Sequence, residues 1–466
     1  MSPARRVMII GLDCAAPRIL FDDMRDQLPV ISSLMERGVY GELESCDPPI
    51  TVPAWSCMMS SKDPGTLGFY GFRNRADHSY DGLVFATANR MTHDRVWDIL
   101  GRAGKHVVAL GVPMTFPPSK VNGEMVGCFM SPSTESNYTY PLELKDEIRD
   151  VVGEYMVDVP NFRTDEKERI MRDIRDMTRR RFELARHLRD TRDWDFLMMV
   201  EMGTDRLHHG FWRYYDPEHP DYQPGTRWEQ EFRDYYRQVD AEIGRLVEGL
   251  GDDTAVMIVS DHGAQSMVGG IQVNEWLMRE GYLRLIEQPE SPLPIGKASI
   301  DWGGTRVWAD GGYYSRIFFN VRGREPEGIV DPADYEALRD EVIAGLEALG
   351  DERGEPIGTR VFRPEELYHE VNGVAPDLIC YFGNLTWRAI GTLGDGRIHV
   401  RENDTGPDDA NHAKMGVYIM AGPGMPEVAP ERATLFDIAP TVLTAMGFDV
   451  PADMQGRPMN VLPAAR

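Results

Sequence analysis

Cysteine is scarce in this chain of 466 residues. The cysteines are odd in number, lie far apart and form no CxxC pair: Cys14, Cys46, Cys57, Cys128 and Cys380. A disulfide framework needs paired cysteines, and a cysteine zinc site needs closely spaced ones. The sequence therefore argues against both.

Long hydrophobic runs are also missing. No apolar stretch approaches the roughly 18 residues that a membrane-spanning helix needs. Near the start, Arg5 and Arg6 precede the apolar run Val7–Ile10, which is too short for a signal peptide and continues directly into Gly11-Leu-Asp13. We interpret this run as a first buried strand, and we expect a cytoplasmic protein that has no membrane partner.

Positive charge is in deficit, because 50 Lys and Arg stand against 75 Asp and Glu and give a formal net charge of −25. Such a chain repels nucleic acid unless it carries a basic patch, and the sequence has no basic run. We therefore expect no binding to nucleic-acid polymers. The hydrophobic share of 42% is ordinary for a globular protein. The length allows two to four domains, or one large α/β domain with insertions.

Short apolar runs alternate with amphipathic stretches along the chain. This alternation is typical of a mostly parallel sheet with helices on both faces. The predicted strands are Val7–Ile10, Val107–Val112, Phe196–Val200, Ala255–Val259, Ile317–Asn320, Leu378–Phe382 and Val417–Met420. The predicted helices are Asp165–Leu188, Trp228–Gly249 and Pro332–Leu349, and Asp331 is the expected N-cap of the last.

Polar residues directly follow three of these strands. Asp13 follows the first, the segment from Glu201 to His209 follows the third, and Ser260-Asp261-His262-Gly263 follows the fourth. Ligands of open α/β sheets bind outside the carboxyl ends of the strands, so we expect these residues to meet at one rim. A single aspartate after a strand is more often a helix N-cap, and for Asp13 alone that alternative stays open.

Asp205 and His209 have the spacing of a metal-binding pair. Residues four apart lie on one face of a helical turn, and carboxylate with imidazole suits Zn²⁺, or Mn²⁺ as a harder alternative. The adjacent His208 points in another direction, so only one of the two histidines can be the partner.

Asp261-His262-Gly263 is a stronger metal-binding candidate. Two ligand types end an apolar strand, and the glycine lets the chain turn sharply past an ion. The alternative is a helix cap beside a packed histidine. His412 lies just before the last predicted strand, and by itself it would be an ordinary loop histidine.

The segment from Pro48 to Trp55 is the most unusual in the chain. Prolines flank Thr51, and a helix-like stretch over residues 56–61 follows. A rigid hydroxyl at a helix N-terminus lies beside free amide groups, which favours anions. The alternative is that Thr51 or a neighbour is simply an N-cap.

Six motifs in one order connect these candidates. They are Gly11-Leu-Asp13, Pro49-Ile-Thr51-Val-Pro-Ala-Trp55, Asp63-Pro-Gly65 with Gly68-Phe, Asp205 to His209, Asp261-His262-Gly263, and His412 with Gly416. Together they resemble the alkaline phosphatase superfamily, in its type I phosphodiesterase/nucleotide pyrophosphatase branch. The resemblance spans almost the whole chain.

The resemblance implies an α/β fold of the alkaline phosphatase type, in which a mostly parallel central sheet is flanked by helices. Residues 1–466 would form one catalytic domain. A cap insertion is expected at about residues 268–370, since the connections there are too long to be simple loops. A mainly helical insertion is expected at about residues 117–190.

The resemblance also implies two divalent metal ions, Zn²⁺ first and Mn²⁺ as the alternative. Its mapping assigns three ligands to each ion and aligns Thr51, beside the first ion, with the family's nucleophile. The first ion would be held by Asp13, Asp261 and His262, and the second by Asp205, His209 and His412. Three protein ligands per ion leave a position open for substrate.

Three features depart from the family pattern or from its relatives. Ser60-Ser61 stands where members often have Thr-Gly, and Leu67-Gly68 stands where they often have His-Gly. These differences affect packing and substrate contacts, since none of the four residues is a mapped ligand. The segment from Cys46 to Ile50 lacks the Arg of the sulfatase motif, which argues against a sulfatase.

Substrate contacts are predicted from three further residues. Arg73 and Asn74 follow the nucleophile helix and are candidates to touch a phosphate oxygen, although a solvated arginine is an equal alternative. Thr115 lies in the loop over residues 111–118, which resembles a substrate loop of the family or is an ordinary proline-rich loop. The aromatic residues of the cap are a candidate wall for a base or aryl leaving group: Trp302, Trp308, Tyr313 and Tyr314.

The predicted function is a metal-dependent phosphodiesterase or nucleotide pyrophosphatase that acts on a small phosphoester through a phospho-threonine intermediate. One alternative is a phosphomonoesterase or phosphomutase of the same superfamily. An alternative of another class is a non-catalytic metal-dependent binding protein. The oligomeric state stays open.

Overall fold

The computed structural model describes residues 3–460, which form a layered α/β structure. Among these residues, no helix is both long enough and apolar enough to cross a membrane. The strands are β1 Arg6–Leu12, β2 Val39–Glu44, β3 Arg73–Arg75, β4 Leu83–Phe85, β5 Val107–Leu110, β6 Gly123–Val126, β7 Thr139–Tyr140, β8 Phe196–Glu201, β9 Thr254–Val259, β10 Gly263–Ser266, β11 Gly269–Gln272, β12 Leu293–Pro294, β13 Val307–Asp310, β14 Ser315–Phe319, β15 Arg360–Phe362, β16 Leu378–Tyr381, β17 Trp387–Ile390, β18 Thr392–Leu393, β19 His399–Val400, β20 Ala410–Ala413 and β21 Met415–Ala421. The helices are α1 Pro29–Arg37, α2 Thr51–Ser60, α3 Pro64–Leu67, α4 Val96–Arg102, α5 Leu144–Val152, α6 Lys167–Thr191, α7 Gly203–Tyr215, α8 Arg227–Val247, α9 Val273–Arg279, α10 Tyr335–Glu347, α11 Pro364–Leu367 and α12 Ile438–Ala445.

The central sheet has eight strands in the order β2-β21-β9-β1-β8-β5-β6-β7. The five strands from β9 to β6 are parallel. The edges are antiparallel, since β21 runs against both β9 and β2, and β7 runs against β6. The predicted mostly parallel α/β fold is confirmed.

Helices cover both faces of this sheet. Along β1, Met8 and Ile10 pack into a core with α1, α6, α7 and α8, whereas Val7 and Ile9 pack into a second core with α2, α4 and α12. A strand buried on both faces needs apolar residues at every position, which explains its continuous apolar run.

Two predicted strands lie outside the central sheet. The runs predicted at 317–320 and 378–382 form β14 and β16 of a separate antiparallel sheet with the order β13-β14-β16-β15. This small sheet packs with α9 and α10 in a core of its own. A short apolar run does not reveal which sheet it joins, because any strand buried on both faces has the same pattern.

The three predicted helices correspond to α6, α8 and α10. The last differs at its start, where residues 332–334 form a separate turn of 3₁₀ helix before α10. Asp331 caps that turn by accepting from the Ala333 amide at 2.9 Å. The small sheet extends to residue 381, past the predicted end of the cap, and the domain boundaries themselves stay a prediction.

Gly11 provides a test of this packing. A Cβ atom there would lie 2.5 Å from Trp55 Cη2 and 2.8 Å from Val200 Cγ2. We expect Gly11→Ala to lower the free energy of unfolding by about 1–3 kcal/mol through overpacking, measured by urea denaturation. The control is Gly101→Ala on α4, whose nearest contacts are at 3.4 Å or more and which should be neutral or slightly stabilising. Equal stability of Gly11→Ala and wild type would contradict this packing.

Candidate active site

The carboxyl ends of β1, β8 and β9 bring the predicted polar residues together. Asp13 follows β1, and Asp261 and His262 follow β9, while α7 begins just after β8 and carries Asp205 and His209. The strands β9, β1 and β8 are direct neighbours in parallel register. Their ends therefore open at one rim of the sheet.

Two residues reach this rim from outside the parallel strands. His412 lies on β20, which pairs antiparallel with β10 and sets His412 opposite Ala264. Thr51 is the first residue of α2, after Ile50 in extended conformation. Both side chains are buried.

The first cluster contains Asp13, Asp261 and His262, all fully buried. His262 Nε2 lies 3.1 Å from Asp261 Oδ2 and 3.8 Å from Asp13 Oδ1. Thr51 Oγ1 lies 3.3 Å from the same nitrogen. The threonine hydroxyl therefore lies against the donor atoms of this cluster.

The second cluster contains Asp205, His209 and His412. Asp205 Oδ1 lies 3.2 Å from His209 Nε2 and 3.8 Å from His412 Nε2. The rings of His262 and His412 stack with centroids 3.8 Å apart. One potential ligand atom from each of Asp205, His262 and His412 lies within 4.8 Å of the other two. The two clusters are therefore in direct contact through His262 and His412.

Each aspartate of these clusters has one oxygen held by the protein. Trp55 Nε1 donates to Asp13 Oδ2 at 2.7 Å, and the amide of Cys14 donates to Asp261 Oδ1 at 3.2 Å. Arg206 donates to Asp205 Oδ2. These bonds orient the carboxylates and leave the second oxygen of each directed at the cluster.

The imidazoles are oriented in the same way. His412 Nδ1 donates to the carbonyl of Pro49 at 2.9 Å, and His262 Nδ1 donates to that of Gly263 at 3.2 Å. His209 Nδ1 lies 2.6 Å from Asp408 Oδ1. Partners of this kind fix the tautomer of metal-binding histidines and leave Nε2 with a lone pair.

Four buried side-chain atoms that could ligate a metal have no hydrogen-bond partner within residues 3–460. They are Asp13 Oδ1, Asp205 Oδ1, Asp261 Oδ2 and His412 Nε2. An unpaired buried polar atom costs about 1–3 kcal/mol, and more when it is charged. All four atoms belong to the two clusters and face one another. Carboxylate oxygens and imidazole nitrogens arranged in this way fit divalent cations.

The electrostatics of the rim also favour cations. Burial, together with the carboxylates of Asp261 and Asp205, raises the pKa of Asp13 well above its ordinary value. Burial likewise raises the pKa of Asp261. Although burial acts to lower the pKa of His262, the adjacent Asp261 raises it to about 9. Negative charge around Asp13 and Asp261 therefore disfavours a further anion there and stabilises positive charge.

A cavity of about 870 Å³ opens in front of the clusters. Thr51, Asp205, His209 and His412 contribute to its wall. Arg73 lines it as well, with its guanidinium 4.8 Å from the ring centroid of Phe85.

Asn74 and Thr115 are not among the cavity-lining residues of the described chain. Asn74 is buried and bonds the amide of Tyr70 and the carbonyl of Gly71. The Thr115 hydroxyl donates to the carbonyl of Val112 at 2.6 Å. The structure therefore uses both side chains to fix local turns.

The aromatic residues of the predicted wall divide into two pairs. Tyr313 and Tyr314 line the cavity. Trp302 stacks on Tyr80 at a centroid distance of 3.6 Å, and Trp308 packs edge-on against the same ring. The tryptophans are therefore part of the packing of the small sheet.

The sequence pattern did not predict a role for two residues that hold the candidate ligands, Asp408 and Arg206. Asp408 holds His209 and also pairs with Arg163 at 2.9 Å. Arg206 bridges Asp205 to Asp158. The available signals were weak: Asp408 lies in a Gly-Pro-Asp-Asp loop four residues before His412, and Arg206 is adjacent to a ligand candidate.

Comparison with known proteins identifies one family and several structures of similar fold. The family model for type I phosphodiesterase/nucleotide pyrophosphatase matches residues 7–408. Phosphonoacetate hydrolase from Sinorhizobium meliloti 1021, in complex with phosphonoacetate, shares 15% identity over 95% of this chain and 96% of that one, with a TM-score of 0.60. Human ectonucleotide pyrophosphatase/phosphodiesterase 5 shares 14% identity over 96% of each chain, with a TM-score of 0.55.

A third structure is the murine ectonucleotide pyrophosphatase/phosphodiesterase 5, an inactive threonine-to-alanine variant in complex with AMP. It shares 12% identity over 96% of each chain, with a TM-score of 0.56. At these identities the likeness establishes a common fold. No curated protein matches the sequence significantly.

Thermal unfolding tests whether the rim binds cations. Raised pKa values of Asp13 and Asp261 mean that the metal-free protein loses stability as pH rises above their ordinary values. Bound ions remove that repulsion and compete with protons, so the gain in Tm should be larger at about pH 8 than at about pH 5.5. We expect each ion to raise the free energy of unfolding by about 2.7 kcal/mol when its free concentration is ~100 times its Kd.

Chelator-treated protein with and without added Zn²⁺ or Mn²⁺ gives this measurement by calorimetry. His412→Gln should lose part of the ion-dependent shift, whereas His78→Gln, which alters a partner of Glu325 away from the rim, should keep it. An equal shift in both variants would contradict metal binding at the rim.

Proposed function

Because this chain belongs to the type I phosphodiesterase/nucleotide pyrophosphatase family, we propose that it is a two-metal phosphodiesterase that uses Thr51 as its nucleophile. The chain is a phosphoester-hydrolysing enzyme of that family. The convergence of the Thr51 hydroxyl with the unpaired donor atoms of the two clusters carries the finer proposal.

The donor set fits two divalent ions. Asp13, Asp261 and His262 would hold the first beside Thr51, and the second would be held by Asp205, His209 and His412. Bound there, the ions would lower the pKa of the threonine hydroxyl and neutralise charge on the phosphoryl group. Zn²⁺ as the native metal, with Mn²⁺ as the alternative, stays a prediction, as does a cytoplasmic location.

The position of Thr51 at a helix start supports this role. Thr51 begins a ten-residue helix, in which its own amide and that of Val52 have no partner within the helix, whereas Pro53 has no N–H and the Ala54 amide bonds the carbonyl of Ile50. These amides and the helix dipole attract an anionic phosphoryl group. The Trp55 side chain, one turn later on the same helix, bonds Asp13 and thereby couples the position of α2 to the first cluster.

The reaction proceeds in two displacements. Thr51 Oγ loses its proton and forms a bond to phosphorus, the bond from phosphorus to the leaving oxygen breaks, and that oxygen takes up a proton and departs as an alcohol. Water then attacks phosphorus, the bond from phosphorus to Thr51 Oγ breaks, one proton of the water returns to Thr51 Oγ, and the oxygen of the water stays with the phosphate product. A diester substrate thus yields an alcohol and a monoester.

The relatives support a small phosphoester or phosphonate substrate. One of the similar structures contains phosphonoacetate, and another contains AMP in an inactive threonine-to-alanine variant. In the murine protein a threonine is thus replaced in the inactive form, which agrees with the role proposed for Thr51. Neither ligand is a diester, and it is the family that favours one, so we infer from the family that the natural substrate is a small phosphodiester.

Substitution of Thr51 tests the proposal. Turnover of bis-p-nitrophenyl phosphate should fall at least about 1,000-fold in Thr51→Ala, a barrier increase of about 4 kcal/mol, because the attacking oxygen is lost. Thr51→Ser should keep much of the activity. Ser56→Ala is the matched control, since its hydroxyl on the same helix only bonds the carbonyl of Val52.

Metal content and an acid quench separate the outcomes. Wild-type protein quenched during turnover should carry the phosphoryl group on Thr51, and Thr51→Ala should retain its metals. Activity of Thr51→Ala within about tenfold of wild type would mean that Thr51 is only a helix-start residue. Retention and return of the phosphoryl group to the substrate, without release of free phosphate or a nucleoside monophosphate, would indicate a phosphomutase.

A further inference from the structure

Tyr313 reaches over the second cluster from the small antiparallel sheet. It lies in the connection between β13 and β14 and lines the same cavity as Thr51. Its hydroxyl is 3.2 Å from His209 Nε2, and its ring stacks on His412 with centroids 4.3 Å apart.

The protein holds both the backbone and the side chain of Tyr313. The Asn411 side chain donates to the backbone carbonyl of Tyr313 at 3.1 Å, and the guanidinium of Arg388 lies 4.8 Å from the ring centroid. Arg163 donates to the phenolic oxygen. A side chain fixed in this way has lost its rotamer freedom before a ligand arrives, which lowers the entropic cost of using it.

The hydrogen bond from Arg163 leaves the Tyr313 proton available. An arginine can only donate, so the phenolic oxygen accepts from Arg163 and keeps its own proton as a donor. Within residues 3–460 the phenolic oxygen also lies 3.2 Å from His209 Nε2. The other nitrogen of this imidazole, Nδ1, faces Asp408, so Nε2 is the atom left for an ion.

When His209 Nε2 binds an ion, its lone pair is no longer free to accept the Tyr313 proton. The phenolic O–H then requires a new acceptor in the cavity. An anionic oxygen of a phosphoryl or phosphonyl group beside Thr51 would be that acceptor. The neighbouring Tyr314 is not equivalent, because its hydroxyl already donates to the carbonyl of Tyr70.

We propose that Tyr313 is a catalytic residue that donates a hydrogen bond to a non-bridging oxygen of the phosphoryl group. This inference rests on the function proposed above. The charge on that oxygen is stabilised by a donor that is already in place, so little reorganisation is needed during the reaction. The small antiparallel sheet would thereby contribute directly to the chemistry as well as to the shape of the cavity.

Tyr313→Phe removes the hydroxyl and keeps the ring that stacks on His412. We expect kcat/KM for bis-p-nitrophenyl phosphate to fall about 100-fold, as for loss of one oxyanion donor. The affinity for inorganic phosphate, measured by calorimetry on metal-loaded protein, should fall at least about tenfold, while both ions are retained. Tyr282→Phe is the control, because Tyr282 follows α9 and its hydroxyl bonds Glu341 on α10, away from the cavity, and it should change neither value.

Two results would overturn the inference. One is a Tyr313→Phe variant with kcat/KM and phosphate affinity within about twofold of wild type. The other is loss of a metal ion from this variant, which would assign Tyr313 to the metal site. If wild type hydrolyses no phosphoester but binds phosphate in a Tyr313-dependent way, the proposed function fails and the contact stands. If wild type does neither, both fail.

Discussion

Three carboxylates, those of Asp13, Asp205 and Asp261, are buried together at the end of a parallel sheet. Burial of like charges at such short range is expensive unless cations compensate it. The protein holds one oxygen of each with Trp55, Arg206 or a backbone amide, and the other oxygen of each faces the common space. Thr51 on α2, Asp205 and His209 on α7, and His412 on β20 are all placed around this space.

The topology explains how residues so distant in sequence meet. The neighbouring parallel strands β9, β1 and β8 end at the same rim, and this alone brings residues 13, 205 and 261 together. Thr51 and His412 arrive by a helix start and an antiparallel pair, respectively. The connection between β13 and β14 of the small antiparallel sheet adds Tyr313, which lines the same cavity as Thr51 and His412.

Much of this could be predicted from the sequence. The continuous apolar runs of β1, β8 and β9 indicated strands buried on both faces, and the ligand candidates followed them directly. The same signal could not separate β14 and β16 from the main sheet, because their apolar runs are equally short and equally buried. Asp408 and Arg206 escaped prediction because their role depends on partners distant in the chain. Asn74 and Thr115 were predicted near substrate from their position along the chain, which does not reveal where a side chain points.

Diffraction at the metal absorption edge can show whether the rim holds two divalent ions. Crystals of protein reconstituted with Zn²⁺ or Mn²⁺ should show about two anomalous peaks per chain, one among Asp13, Asp261 and His262 and one among Asp205, His209 and His412. Elemental analysis of the same preparation should give a matching content. Less than about one ion per chain, or peaks that lie away from these residues, would contradict the account.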